Sequence, residues 1–291
     1  MINFTLIILI FFNSFYDAKS NEKLFDEDII DIGTFNIAWL GDGDNDKIKR
    51  TENDYKNISF IINQSGVDLL ALQEIENNIA ILRLLKYLPN WNYIIGTEGK
   101  NQNLAYLYKN GINVKKSEEF LALIVKKDKT RPGLMAYIQI KNFDFYIMNV
   151  HFKSTSRYDN TKEKKIESYY LRQKQSKVLK RWADSILDGD IDDDIIILGD
   201  FNDHPNRKLD NLKPLKNQYM EFITTDITSC KDPNWDSIDH IVLTHSVTKR
   251  KIPFSQRIFN HYFSFEDFKS KKVSDHCMVI FSVDIKSKDN D

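Results

Sequence analysis

The sequence predicts an α/β protein in which two mixed β-sheets pack against each other with helices outside. Strand-like and helix-like segments alternate along the 291 residues, and this alternation is the first sign of the class. Between residues 93 and 150, short strand-like segments follow one another as a meander, which is built of antiparallel neighbours. Hydrophobic residues make up 42% of the chain and charged residues 29%, which is typical of a soluble globular protein.

The first half of the chain supplies two predicted helices and most of the strands. A helix at residues 51–64 has isoleucines at helical spacing, and Pro89 stops a second helix at residues 77–88. Asn142 separates two strand-like segments and predicts a hairpin. The predicted strands of this half are residues 32–35, 69–72, 93–95, 104–108, 120–125, 135–141 and 143–150.

The second half begins with the longest predicted helix, at residues 161–187. An acidic loop at residues 188–194 then leads into a buried strand at residues 195–198, and further strands are predicted at residues 241–243 and 277–280. One face of the long helix carries residues three or four positions apart, which are Ile166, Tyr169, Gln173, Ser176, Leu179, Trp182 and Ile186.

Polar side chains stand at one end of six of these strand-like segments. In layered α/β architectures chemistry tends to sit at the carboxyl ends of strands. Most of these residues are oxygen donors, and neither a zinc-type Cys/His spacing nor a glycine-rich phosphate loop accompanies them. Carboxylates and amides are ligands for Mg²⁺, Mn²⁺ or Ca²⁺, and a hard metal with histidines suits hydrolysis of a phosphate ester. The residues are Asn36, Glu74, His151, Asp200, Asn202, Asp239, Asp275 and His276.

Six short motifs in a fixed order carry a resemblance to a known family. They are Phe35-Asn36, Leu72-Gln73-Glu74, Asn149-Val150-His151-Phe152-Lys153-Ser154, Gly199-Asp200-Phe201-Asn202, Ile238-Asp239-His240-Ile241 and Ser274-Asp275-His276. Together they span residues 35–276, and the chain resembles the endonuclease/exonuclease/phosphatase superfamily in its deoxyribonuclease I-like branch. The resemblance implies a four-layer α/β sandwich of two packed mixed sheets.

The resemblance also implies roles for the residues that match its motifs. Glu74 corresponds to the principal metal ligand, and Asn36 and Asp275 support the metal site. Asp200 and Asn202 orient the nucleophile and hold the phosphate. Asp239 and His276 correspond to the catalytic dyad. His151 corresponds to the second histidine of the deoxyribonuclease I branch.

Three further residues are candidates for contact with substrate phosphate. Arg131 resembles the phosphate-binding arginine of the secreted nucleases, and Asn202 adds an amide. Lys153 and Arg172 are additional candidates, for which a solvated surface position is an equal alternative. Asn36 and Asp239 also fit ordinary turn positions.

The expected function is that of an exported, Mg²⁺-dependent DNA endonuclease with little sequence preference, acting as a monomer. The pairing of His151 with Arg131 favours nucleic acid, and so do basic clusters at residues 126–131 and 162–165. A phospholipid or inositol-phosphate phosphodiesterase is an alternative, for which the aromatic segment at residues 259–268 would supply membrane contact. A catalytically dead binding protein is a third possibility, which the intact set of site residues argues against.

The amino terminus predicts export. Residues 6–12 are an unbroken apolar run, and small residues at Ala18 and Ser20 match a cleavage site, so we expect a signal peptide at residues 1–20 and a single catalytic domain at 21–291. No second membrane segment follows. The two cysteines, Cys230 and Cys277, either form a disulfide or leave a buried thiol. The net charge of −1 argues against a passive basic nucleic-acid binder.

Overall fold

The computed structural model describes residues 28–156, 158–189, 191–264 and 273–289. Two six-stranded mixed sheets pack face to face within this part of the chain, and helices cover their outer faces. The expected four-layer α/β sandwich is therefore confirmed. The predicted signal peptide lies outside the described residues. Among the helices that the structure describes, none combines the length and the apolar character that a membrane crossing requires.

The strands and helices follow the predicted alternation. The strands are β1 Ile29–Leu40, β2 Leu69–Ile75, β3 Trp91–Ile95, β4 Asn103–Lys109, β5 Asn113–Phe120, β6 Gly133–Ile140, β7 Phe143–His151, β8 Ile195–Asp200, β9 Met220–Phe222, β10 Asp239–Thr244, β11 Arg257–Phe259 and β12 Met278–Asp284. The helices are α1 Glu52–Ser65, α2 Asn78–Leu85, α3 Lys162–Leu187 and α4 His245–Arg250, with 3₁₀ turns at Leu121–Leu123, Lys213–Leu215 and His261–Phe263.

The two sheets share one internal plan. Their strand orders are β11-β12-β1-β2-β4-β3 and β5-β6-β7-β8-β10-β9. The middle pair of each sheet, β1 with β2 and β7 with β8, is parallel, and the remaining neighbours are antiparallel. A parallel pair needs a crossover connection, which α1 provides in the first sheet and α3 in the second. Four middle strands therefore bring their carboxyl ends to the same end of the sandwich.

Alternation along each strand separates the core between the sheets from the outer layers. Ile32, Ala71, Ile147 and Leu198 point inward and join one cluster that both sheets build. The opposite faces of the same strands pack against the helices: α1 and α2 cover the first sheet, and α3 covers the second. Burial of these apolar faces is the main source of stability.

The inward positions become polar near the carboxyl ends of the middle strands. Gln73 Nε2 donates to Asn149 Oδ1 across the sheet interface at 2.7 Å and to Thr34 Oγ1 at 3.0 Å. Asn149 Nδ2 donates in turn to the carbonyl oxygens of Leu72 and Ala105. Hydrogen bonds thus replace apolar contact at this end, so the sheets are held in register where the polar motifs meet.

Two sequence-based expectations differ from the structure. A strand at residues 120–125 was expected and is wrong, because β5 ends at Phe120 and the chain then turns through a 3₁₀ helix. β5 lies at the edge of its sheet with most of its charged side chains exposed, so it lacks the apolar pattern of a buried strand. The buried face of α3 is also rotated from the expected one: Ile166 is exposed, and Arg172 and Gln175 are buried.

Candidate active site

The polar strand ends converge where the two sheets meet. Asn36 lies in the second half of β1, and Glu74 lies near the end of β2. His151 is the last residue of β7 and Asp200 the last residue of β8, and the two residues are paired in register. His151 Nε2 lies 3.4 Å from Asp200 Oδ2 and 3.9 Å from Glu74 Oε1. The structure therefore brings four of the predicted site residues together.

Backbone geometry explains why these strands end as they do. Gly199 has φ +147°, and a Cβ atom there would lie 2.0 Å from the carbonyl oxygen of Val150 on the neighbouring strand. Only glycine allows β8 to approach β7 this closely immediately before Asp200. Glu74 has φ +65° within an irregularity of the β2 ladder, a rare conformation for a residue with a side chain.

Asp200 is the centre of the hydrogen bonding in the site. Its carboxylate is 1% exposed, accepts a bond from Asn36 Nδ2 at 3.0 Å, and accepts another from the backbone nitrogen of Asn202 at 2.8 Å. The Asn202 side chain donates to the carbonyl oxygen of Phe152 at 3.2 Å. Burial raises the pKa of Asp200 to about 7, although the charge of His276 opposes this shift.

Asp239 and His276 form the predicted pair. His276 Nδ1 lies 2.7 Å from Asp239 Oδ2, and the His276 backbone nitrogen donates to Ser274 Oγ at 3.0 Å. Burial alone would lower the pKa of His276, but the charge and hydrogen bond of Asp239 outweigh it and raise the pKa to about 10. Asp200, Asp239 and His276 present ligand atoms that all lie within 4.8 Å of one another.

His151 is in a different electrostatic state from His276. Its side chain is 3% exposed, and its Nδ1 atom has no hydrogen-bond partner. Burial lowers its pKa well below the usual value, and the positive charges of Arg131 and His276 lower it further. The two histidines of the site therefore differ: His276 holds a proton near neutral pH, and His151 is neutral.

Arg131 lies beside this group, as predicted from its motif. Burial lowers its pKa, while the charges of Glu74 and Asp200 act in the opposite direction. Its Nη2 atom donates to Gln102 Oε1 at 2.5 Å. Sequence reasoning missed Gln102, since a glutamine in the turn before β4 carries no motif; only the packing of that turn against Arg131 identifies it.

Three predicted residues lie away from the centre. Arg172 is fully buried, with Nε 2.8 Å from Asp203 Oδ2, so it is a structural residue and not a phosphate contact. Lys153 Nζ lies 3.2 Å from Asp159 Oδ2, and this pair must open before the lysine reaches a phosphate. The Asp275 side chain is 60% exposed, and its Oδ2 atom lies 3.8 Å from Lys231 Nζ, so its role as a metal ligand stays a prediction.

The remaining donors fit a hard divalent cation. Burial raises the pKa of Glu74, while the charges of Arg131 and His276 and a hydrogen bond with Asn36 act in the opposite direction. Asp239 Oδ1 is buried without a hydrogen-bond partner. Buried carboxylate oxygens that lack partners are costly unless a cation or a proton neutralises them. Glu74 and Asn36 offer the carboxylate and amide oxygens that Mg²⁺ prefers, and the carboxylates of Asp200 and Asp239 lie in the same site.

Two clefts open beside the centre. One of about 470 Å³ has Asp239 and His276 among its lining residues. The other, of about 510 Å³, is lined by residues that include Trp39, Gln102 and Arg131. Both volumes are within the range of small-ligand sites.

The two cysteines form a disulfide, so the alternative of a buried free thiol is excluded. Cys230 and Cys277 form a disulfide that joins the segment before β10 to the residue after His276. Cys277 is 4% exposed. The bond therefore lies at the edge of the cleft that contains the Asp239–His276 pair.

Comparison with known proteins agrees with this geometry. No curated protein matches the chain. An endonuclease/exonuclease/phosphatase family protein from Bacteroides vulgatus has a similar structure, with 16% identity, a TM-score of 0.63, and 88% of this chain and 98% of that chain covered. Truncated TDP2 from Caenorhabditis elegans shares 13% identity at a TM-score of 0.64, covering 88% and 98%.

A third structure, of D. rerio TDP2 complexed with a single-strand DNA product, shares 15% identity at a TM-score of 0.61 and covers 87% and 98% of the two chains. At these identities the likeness shows the fold. The model of the Endonuclease/Exonuclease/phosphatase family matches residues 9–263, which is most of the sequence. The chain therefore belongs to this family of divalent-metal-dependent hydrolases that act on phosphate esters.

Proposed function

We propose that this protein is an exported, Mg²⁺-dependent DNA endonuclease with little sequence preference that leaves a 5′-phosphate. One observation carries the proposal: ligand atoms of Asp200, Asp239 and His276 lie within 4.8 Å of one another, beside the half-buried Arg131. This arrangement places a carboxylate, a charged imidazole and a guanidinium around one point. Such a point suits a phosphodiester that gains negative charge during hydrolysis.

Glu74 and Asn36 would hold the metal, and Asp200 belongs to the second sheet. When bound, Mg²⁺ supplies positive charge that neutralises the reacting phosphate. Asp200, whose pKa burial raises to about 7, is suited to accept a hydrogen bond or a proton from the attacking water. The backbone nitrogen of Asn202 fixes the direction of that carboxylate.

The cations of the site would bind the phosphate oxygens. His276 is protonated near neutral pH because Asp239 stabilises its charge, so it can donate a hydrogen bond to the phosphate. Arg131 adds a guanidinium whose geometry matches two oxygens at once. His151, which is neutral, contributes a hydrogen-bonding ring beside Asp200 rather than a charge.

Positive surface charge on α3 supports nucleic acid as the substrate, although part of the other basic cluster is neutralised by an acidic residue. Lys174, Lys177 and Arg181 are exposed on α3 and add positive surface. The basic cluster at residues 126–131 is partly neutralised, because Lys126 and Lys129 both pair with Glu167. We therefore expect a modest dependence of DNA binding on salt rather than a steep one.

The lipid alternative keeps one observation in its favour. Phe254 and Phe263 flank the edge strand β11, and their side chains are 93% and 87% exposed. Exposed aromatic rings of this kind can enter a membrane surface. Within the aromatic segment 259–268, however, His261 is buried and Phe259 packs against the core, and residues 265–268 lie outside the described part of the chain.

A substrate panel tests the proposal. Purified residues 21–291 are incubated with plasmid, single-stranded DNA, RNA, sphingomyelin and phosphoinositides, with and without Mg²⁺. We expect nicking of plasmid that needs Mg²⁺ and that the His276→Ala variant lacks, which excludes a contaminating nuclease. Hydrolysis of sphingomyelin or a phosphoinositide without DNA cleavage would establish the lipid alternative.

Export is a separate part of the proposal. The Cys230–Cys277 disulfide supports it, because disulfides persist in oxidising compartments. Expression of the full chain in a secreting host should yield a mature protein that begins at Asn21, which mass spectrometry can identify. Retention of residues 1–20 on the purified protein would contradict cleavage of a signal peptide.

A further inference from the structure

A small hairpin at residues 227–237 forms one wall of the cleft beside His276. Thr228 bridges to Asp236, and the backbone nitrogen of Ser229 donates to the carbonyl oxygen of Trp235 at 2.7 Å. The hairpin connects β9 with the start of β10. Its own hydrogen bonds give it shape, but they do not fix its position relative to the rest of the molecule.

The disulfide is the covalent link between this hairpin and the catalytic centre. Cys230 lies near the tip, where Lys231 and Trp235 are exposed, and Cys277 lies on the buried side of the cleft. Two long ion pairs accompany it: Lys231 with Asp275 at 3.8 Å and Asp236 with His204 at 3.9 Å. Both pairs are longer than a hydrogen bond and each has an exposed carboxylate, so they contribute little. The covalent bond is therefore the strong tether of the hairpin tip, whereas Ile227 at the base of the hairpin packs against the core.

His276 has anchors that do not depend on this bond. Its ring pairs with Asp239, its backbone nitrogen donates to Ser274, and Ser274 Oγ donates to the carbonyl oxygen of Asn36 at 2.6 Å. β12 begins at Met278 and continues into the core. Loss of the disulfide should therefore free the hairpin while leaving the imidazole in place.

The cleft itself is built to receive part of a chain substrate. Its volume of about 470 Å³ lies between the hairpin and the loop that carries His276, with Arg207 also in the lining. Arg207 and Lys231, whose side chains are 46% and 51% exposed, lie next to the dyad and form long ion pairs with Asp203 at 3.4 Å and with Asp275 at 3.8 Å, which a phosphate would replace. Positive charge beside the reacting centre suits a second phosphate of the same chain.

We propose that the Cys230–Cys277 disulfide is a positioning element that holds the 227–237 hairpin as a wall of the substrate cleft and thereby sets affinity for polynucleotide. The proposal rests on the function proposed above. If it holds, reduction of the disulfide lowers the affinity for substrate. A dithiol such as dithiothreitol supplies the two electrons and two protons that convert the disulfide to two thiols, and is itself oxidised to a cyclic disulfide.

The kinetic test compares wild type with the Cys230→Ser/Cys277→Ser double variant on two substrates. One is a 20-nucleotide single strand, and the other is bis(p-nitrophenyl) phosphate, which is too small to reach the hairpin. We expect KM for the oligonucleotide to rise roughly tenfold, because the wall is no longer preorganised. The kcat values and the hydrolysis of the small ester should stay within about twofold, because the anchors of His276 remain.

A matched control separates positioning from general stability. Gly66 ends α1 with φ +77°, so Gly66→Ala destabilises the fold away from the cleft. We expect this variant to lower Tm without raising KM. An unchanged KM for the oligonucleotide in the cysteine double variant would overturn the proposal. An equal loss of activity on the small ester would also overturn it, because the disulfide would then position His276 and not the hairpin.

Two further measurements do not depend on turnover. Hydrogen exchange in residues 227–237 of the wild type should be faster after reduction with dithiothreitol, whereas exchange in Met278–Asp284 should not change. Equal protection of the hairpin in both states would overturn the proposal that the disulfide holds it. Anisotropy of a labelled oligonucleotide in EDTA should show roughly tenfold weaker binding after reduction. If reduction weakens oligonucleotide binding but the protein cleaves no substrate, the proposed function is refuted, while the role of the disulfide in holding the hairpin is supported.

Discussion

The side-chain amide of Asn36 donates a hydrogen bond of 3.0 Å to Asp200, and this bond joins the two sheets at the catalytic end of the sandwich. Asn36 belongs to β1 and Asp200 to β8, which lie 164 positions apart in the sequence. The bond is buried, so its geometry is held by the packing on both sides. The site therefore depends on how the sheets are packed as well as on the residues that each one carries.

Removal of this bond should reduce activity with little unfolding. In Asn36→Ala, the buried Asp200 carboxylate loses one donor and its orientation, and we expect kcat to fall roughly 10²-fold or more. Tm measured in Mg²⁺ should change by only a few degrees. Wild-type kinetics in this variant would contradict a role of Asn36 in the site.

Glu74 should control metal affinity. We expect Glu74→Gln, which keeps the shape and removes the charge, to weaken Mg²⁺ binding by roughly 10- to 100-fold or more. The measurement is the Mg²⁺ dependence of plasmid cleavage, with Glu221→Gln, an exposed carboxylate on β9, as a charge-matched control. Full activity in excess chelator would refute metal dependence.

Asp239 and His276 should act as a unit. Because the carboxylate holds both the charge and the orientation of the imidazole, Asp239→Ala and His276→Ala should each lower kcat by roughly 10³-fold or more. The double variant should be little worse than either single variant. Multiplicative losses in the double variant would show that the two residues act separately.

Gln102 should position Arg131. Gln102→Ala removes the acceptor of the guanidinium, so we expect KM for DNA to rise several-fold, while Gln102→Glu should retain near-normal KM because it still accepts the bond. Gln102→Ala should have no further effect in an Arg131→Ala background. An added effect there would show that Gln102 contacts substrate by itself.

The stability that Asp200 contributes to the metal-free protein should be lost as pH rises from about 4 to about 7, whereas His151 and His240, whose pKa values burial lowers, act in the opposite direction over this range. Burial raises the folded-state pKa of Asp200 from 3.8 to about 7, so its neutral form is favoured in the fold and that advantage disappears as the pH passes through this range. Asp194, also buried, has its pKa raised to about 7 and contributes to the same slope. Between pH 4 and pH 7, the Tm of the wild type in EDTA should therefore decrease relative to the Tm of Asp200→Asn, which lacks this titration.

Addition of Mg²⁺ at pH 8 should reverse the part of this loss that belongs to Asp200, because the cation replaces the proton. Asp194 lies at the opposite end of β8, so Mg²⁺ should leave its part unchanged. The stabilisation by Mg²⁺ should therefore be larger at pH 8 than at pH 5. The reverse order would contradict cation binding by ionised carboxylates.

The sequence alone determined the class of the fold and the family, and it predicted which residues form the site. Alternating elements and polar residues after apolar strands are local patterns, and six of them in order identified the family and residues such as Glu74, Asp239 and His276. Edge strand β5 escaped prediction, because an exposed strand needs no apolar alternation and so leaves no pattern in the sequence.

Only the tertiary structure decided which charges belong to the site. Arg131 and Arg172 are both arginines in plausible motifs, yet one lies against Glu74 and Asp200 and the other is buried against Asp203. The same holds for the joining of Cys230 to Cys277 and for the contact of Gln102 with Arg131. These relations connect residues distant in the chain, and their distances follow from how two sheets and their loops pack, which no local pattern encodes.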